Sequence, residues 1–139
     1  MVVIYPVIFT ATKDEKDTYL VYIPDIDGMT EGYGLFDAIK MARDYMGCTF
    51  FEMEDEKLPK PSEINKVDVS KSVFFDDYPK TNSFVSAVEL DLDAYRKAMN
   101  QKAVRRNVSI PAWLDKKAEE AHINVSRVLQ EALIEKLNV

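Results

Sequence analysis

Hydrophobic and polar positions along the chain change period several times, and each change predicts an element. The stretch VVIYPVIFTA, Val2–Ala11, is apolar almost throughout and rich in β-branched and aromatic residues, the pattern of a strand buried on both faces. Pro6 has no N–H to give a ladder, so this strand is expected at a sheet edge or with a bulge. A polar connector, TKDEKD, leads to TYLVYI, Thr18–Ile23, a second strand, and the turn-forming residues of PDIDG end it. MTEGYG, residues 29–34, reads as a short third strand.

From Leu35 the period becomes helical. Leu35, Ile39, Ala42, Met46, Phe50 and Met53 recur at the spacing of one amphipathic helix face. Gly47 lies inside this pattern at a propensity cost of roughly 1 kcal/mol relative to alanine. DEKLPKPSE is a loop; SVFFDDY and FVSAVELD read as two strands joined by the turn PKTN. Asp91 is placed to cap a helix from Leu92 to about Gln101. Phe74, Phe75, Tyr78 and the tyrosines of TYLVY are expected mostly in the core, with one or two left as interface anchors. The predicted order is β-β-β-α-β-β-α, an α+β domain over residues 1–100 with an antiparallel sheet and a packed helix.

Residues 101–104, QKAV, read as a joint to a second unit over residues 101–139. Its first stretch, RRNVSIPAWL, is strand-like: Arg105, Asn107 and Ser109 share one face, and Arg106, Val108 and Ile110 share the other. Pro111 keeps Ile110 extended and fits the start of a helix from Ala112 to about Ala121. Asn124 is a good N-cap for VSRVLQEALIEKL, whose Val125, Val128, Leu129, Ala132, Leu133 and Leu137 form one apolar stripe. So small a unit cannot bury that stripe alone, and its lone strand has two unpaired edges. Antiparallel pairing with the strand of a second copy answers both needs and yields a β-ribbon able to enter a DNA major groove.

Charge sharpens this division. Residues 1–95 carry 9 basic and 19 acidic side chains, a balance of −10, whereas residues 96–139 carry 9 basic and 5 acidic, a balance of +4. Such a split suits two partners of opposite charge. Cys48 and His122 are the only cysteine and histidine, so a disulfide framework, a His/Cys metal site and a histidine triad lack raw material in one chain. A single cysteine fits a reducing compartment, and no secretory leader or membrane span is expected.

The segment from Arg105 to Leu133 resembles a ribbon-helix-helix DNA-binding domain (β-α-α) in its strand, proline, two helices and capping residue. That resemblance implies base contacts from Arg105, Asn107 and Ser109, and a phosphate held at Asn124, Val125 and Ser126, as helix-end electrostatics favour. IPDIDGMTEGYGLFDAIKMARDYMG resembles the matching segment of HicB-type antitoxins through Asp25, Gly28, Thr30, Gly32 and Ala38. That family commonly has an acidic and then a hydroxyl residue before the helix; this chain has Tyr33 and Gly34, and Gly34 can still serve as the N-cap. The two resemblances together cover nearly the whole chain.

They imply a bacterial, cytoplasmic antitoxin of a type II toxin–antitoxin pair that needs no cofactor. Its N-terminal domain would be a partial ribonuclease-H-like fold masking a HicA-type RNA-cleaving toxin. Its C-terminal domain would dimerise and repress its own operon at operator DNA, with higher heteromers formed with toxin. Asp25, Asp27 and Glu31 are the candidate toxin contacts, since an acidic surface can compete for a basic RNA-binding one; solvated loop charge explains any one of them equally well. The run DEKD, Asp14 to Asp17, is a second acidic candidate with the same bland alternative. Two rival readings remain. One is a ribbon-helix-helix repressor whose N-terminal domain senses a ligand. The other is a ribonuclease holding Mg²⁺ on Asp25, Asp27, Glu31 and Asp37, which would require those carboxylates to converge.

Overall fold

The computed structural model describes residues 1–101 and 103–139, and the chain divides into two compact units, Met1–Gln101 and Lys102–Val139. The first unit is built on a four-stranded antiparallel sheet of β1 (Val2–Ala11), β2 (Thr18–Ile23), β3 (Gly28–Tyr33) and β4 (Ser83–Asp91), in the order β3-β2-β1-β4. Helix α1 (Leu35–Phe50) packs on one face, and α2 (Leu92–Met99) follows β4 directly. The order is therefore β-β-β-α-β-α, one strand fewer than the sequence pattern predicts.

The missing strand is SVFFDDY. Residues 72–78 follow one tight 3₁₀ turn, Val69–Lys71, and contain another, Phe75–Asp77, instead of joining the sheet. Phe74 and Phe75 are both half-buried there. Local side chains also take the backbone donors: Asp68 accepts from Ser70 N at 2.8 Å, and Ser72 Oγ from Phe74 N at 3.1 Å. Short polar side chains offering such bonds compete with a ladder, and here they prevail.

β1 is central rather than at an edge, yet Pro6 still fits. β1 pairs with β4 from Val2 to Thr10 but with β2 only from Ile8 to Ala11. Leu92 N donates to the Met1 carbonyl at 3.0 Å, so the ladder alternation turns the backbone groups of Pro6 away from β4, toward the side where no β2 partner has yet begun. Its absent donor breaks no ladder bond.

The core lies between the sheet and α1. Tyr5, Val7, Phe9, Val21, Ile23 and Val88 meet Ala38, Ala42, Met46 and Phe50 from the helix. The buried stripe of α1 thus centres on Ala38 rather than Leu35, which stays exposed, and the helix ends at Phe50, short of Met53. Two glycines set its position. Gly34 is the N-cap at φ +86°, a conformation side-chain-bearing residues rarely adopt. A Cβ on Gly32 would stand 2.4 Å from Ala38 N, so only glycine lets the first turn of α1 rest on β3. Gly47 makes room for the Tyr95 ring of α2, where a Cβ would come within 2.4 Å, so its helix-propensity cost is the condition for helix packing.

The second unit contains α3 (Ala112–Glu120) and α4 (Val125–Leu137). Asn124 caps α4, its side chain accepting from Arg127 N at 3.1 Å. Residues 105–110 carry no strand pairing in the single chain. The joint 101–104 includes Lys102, which lies outside the described residues.

Candidate functional site

In the N-terminal unit the candidate carboxylates are mostly committed to local structure. Asp25, in a 3₁₀ turn (Pro24–Ile26), accepts from Ser62 N at 2.9 Å and from Ser62 Oγ at 2.5 Å, tying the β2–β3 connection to the loop before β4. Asp27 is left-handed at φ 46° and accepts from Tyr22 OH at 2.7 Å; that bond holds the Tyr22 phenol above its ordinary range. Asp37 accepts from Tyr33 N at 2.9 Å at the start of α1. Asp14 accepts from Thr18 N and Thr18 Oγ1, both at 2.8 Å, and these bonds pull its carboxyl below the usual range.

Glu31 differs. It lies on β3 with its carboxylate exposed, and strand alternation sets it on one face with Met29 and Tyr33, which are 49% and 56% exposed. Phe36, at the start of α1, is 84% exposed. Strand alternation puts Met29 and Tyr33 on the outward face of β3, and Phe36 lies off the buried stripe of α1. Their signal was available only as residues falling outside the core stripe. Tyr22 is buried, while Tyr19, Phe74, Phe75 and Tyr78 are half-buried, so the aromatics of TYLVY and SVFFDDY serve chiefly as packing.

Asp25, Asp27, Glu31 and Asp37 do not come together as a metal site. Among the described residues, no group of three or more His, Cys, Asp or Glu is placed to hold a metal ion. A surface depression of about 550 Å³ lies beside Asp25, with Tyr22, Ser62, Lys66 and Lys71 in its walls. The mixed charges there include the exposed ion pair of Lys66 with Glu63 at 3.0 Å.

In the C-terminal unit Arg105, Asn107 and Ser109 are all exposed. Asn124 places the first amides of α4, those of Val125 and Ser126, where a helix start leaves donors without intrahelical partners. The apolar side chains are as open as the polar ones. Val108, Ile110, Trp113, Leu129, Leu133 and Leu137 range from 37% to 66% exposed, and none of residues 103–139 is buried. The structural boundary also refines the charge division. Arg96 belongs to the first unit, where it bonds Asp55 Oδ1 at 2.8 Å and the Met53 carbonyl at 2.7 Å. Counted by unit, residues 1–101 hold 11 basic against 19 acidic side chains (−8), and residues 102–139 hold 7 against 5 (+2). The asymmetry survives at reduced size.

Among described residues no helix is long and apolar enough to cross a membrane. Among curated proteins, none matches the sequence significantly. Of solved structures, a chain of a toxin–antitoxin complex from Streptococcus pneumoniae is similar at 30% identity and a TM-score of 0.63, over 98% of this chain and 99% of that one. The antitoxin HicB of Burkholderia pseudomallei aligns at 25% identity and a TM-score of 0.43, over 96% and 97% of the two chains. A family model described as the HicB-like antitoxin of bacterial toxin–antitoxin systems matches residues 5–133, across both units. With that model matched over residues 5–133 and a 30% identical chain aligned nearly end to end, this chain belongs to the HicB-like antitoxin family.

Proposed function

We propose that the protein neutralises a HicA-type RNA-cleaving toxin with its first unit and represses its own operon with its second. The observation that carries this reading is the contrast between the units. An acidic unit with its own core precedes a basic one whose apolar stripe is wholly exposed, within a chain that one antitoxin family matches almost throughout. The first unit acts as a partial ribonuclease-H-like scaffold that binds rather than catalyses. Its toxin surface includes Glu31 with the apolar neighbours Met29, Tyr33 and Phe36, and the −8 balance attracts a partner whose own surface must bind RNA. Asp25 and Asp27 contribute there mainly by shaping the turn, since both already accept internal hydrogen bonds.

The second unit works as a ribbon-helix-helix dimer. Residues 105–110 of two copies pair as an antiparallel ribbon, and their helices bury the stripes of α4 against each other. Arg105, Asn107 and Ser109 then point into the major groove, where arginine and asparagine can each grip a base edge with two hydrogen bonds. The amides of Val125 and Ser126 beside Asn124 hold a backbone phosphate. The protein works without a cofactor in the bacterial cytoplasm, and toxin-bound dimers build higher heteromers.

The test uses the chain cut after Gln101. That boundary keeps α2 intact, whereas a cut at residue 95 would sever Arg96 from Asp55 and Met53. Co-expressed with a HicA-type toxin, the 1–101 fragment should silence and co-purify with the toxin yet fail to shift operator DNA. Toxin capture only by the full chain would sink the division of labour.

A further inference from the structure

The two edges of the sheet are defended very differently. β3, at one edge, is six residues long and carries Glu31 in its middle. β4, at the other edge, is nine residues long, and SFVSAV, residues 83–88, contains no charge and no proline. Long uncharged edges are the ones that recruit another strand.

The direction of the β4 backbone is fixed by its ladder. Leu92 N bonds the Met1 carbonyl, so even-numbered residues of β4 turn their backbone groups to β1, and Val85, Ala87 and Glu89 turn theirs outward. Among the described residues no backbone group of another segment bonds this outer edge. Two of its carbonyls are met by side chains only, Ala87 O by Ser86 Oγ at 3.3 Å and Glu89 O by Arg43 Nε at 3.0 Å. Each carbonyl retains a second lone pair.

We propose that the outer edge of β4 is a self-association surface on which a second copy of this chain adds its own β4 antiparallel, with the two-fold axis at Ala87. Ala87 is the midpoint of Ser83–Asp91, and it is one of the outward-facing residues, so two Ala87 residues can exchange both N–H···O=C bonds. The same register sets Val85 against Glu89, Ser83 against Asp91 and Phe84 against Leu90 of the other copy. No like charges face each other, and the half-open Phe84 ring (39% exposed) gains an apolar neighbour. A basic partner would find no carboxylate along residues 83–88, which favours a second copy as the occupant. This surface is independent of the C-terminal ribbon.

Sedimentation of the full chain carrying Leu129→Asp, which removes the C-terminal contact, tests it. That chain should remain dimeric at micromolar concentration. Adding Ala87→Pro should make it monomeric without lowering its melting temperature, because the lost N–H points away from β1. Adding Ala87→Glu should do the same by placing two carboxylates face to face, and mixing the Ala87→Glu and Ala87→Lys chains should restore the dimer. Independently of Leu129, a full chain with Cys48→Ser and Ala87→Cys should cross-link on mild oxidation, since opposed Cα atoms about 5.5 Å apart suit a disulfide. No cross-link, or association indifferent to all three Ala87 changes, would overturn the proposal. A ribbon reading that failed alone would show instead as intact operator binding in Leu129→Asp.

Discussion

The two units of this chain solve the problem of apolar surface in opposite ways. Residues 1–101 enclose it: Tyr5, Val7, Phe9, Ile23, Ala38, Ala42, Met46 and Phe50 are all within 1% of complete burial. Residues 103–139 present it: both helices are continuous and Asn124 caps α4, yet not one side chain is buried. Helices of nine and thirteen residues are marginal in water by themselves, and the proposed dimer would supply the packing they lack. The difference teaches that capping and periodicity specify where helices run, whereas burial specifies how many chains are needed to keep them.

The sharpest way to break the comparison is to charge the open stripe. Leu129→Asp would bury a carboxylate in the C-terminal dimer, and isolated buried charge is prohibitive. Operator binding should disappear, and amide protons of residues 112–137 should exchange freely, while toxin capture persists. Protected amides and retained DNA binding would mean that the second unit is stable without a copy. In the enclosed unit the matching change is Phe50→Ala, which empties a fully buried site against the Tyr5 ring, 5.2 Å away between centroids. A loss of about 3–5 kcal/mol is expected in denaturant unfolding. Gly32→Ala should cost somewhat less, about 1–3 kcal/mol, by pushing α1 off β3.

Smaller effects separate the DNA roles. Arg105→Ala or Asn107→Ala should weaken operator binding by roughly ten- to a hundredfold, with less loss on a scrambled duplex at the same salt. Asn124→Ala removes the cap of α4, worth about 1 kcal/mol, and should weaken both duplexes alike. Equal losses on both duplexes for the strand variants would leave residues 105–110 as a generic basic strand. The smallest expected effect concerns pH. Because Asp14 has its carboxyl pKa lowered on folding by the Thr18 bonds, the stabilisation is present above the unfolded value of 3.8 and is lost as pH falls through the folded one. Wild type should therefore shed slightly more stability than Asp14→Asn between pH 5 and pH 2, read from urea midpoints.

Much of this was legible from residues alone, for a shared reason. Asp91 and Asn124 cap their helices through bonds to Ala94 N and Arg127 N, three residues on, and Gly34 begins α1; these are interactions within one turn of chain, which local sequence states directly. The runs VVIYPVIFTA and TYLVYI became strands because their burial is nearly continuous. What sequence could not decide depended on partners far along the chain. SVFFDDY has strand composition, but its backbone donors go to Ser72 Oγ and to the carbonyls of Ser72 and Phe74 within tight turns. Pro6 lies in a central strand because β2 starts pairing only at Ile8, a matter of register between distant segments. Asp25 and Asp27, candidate contacts by charge, became turn braces once Ser62 and Tyr22 arrived beside them. The sequence by itself determined the helices, the caps of α1, α2 and α4 and the strands β1 to β4, since each rests on short-range sterics and periodicity. The tertiary structure decided strand order, which edge stays open and which carboxylates remain free, since those depend on which distant backbone and side-chain groups satisfy one another's hydrogen bonds.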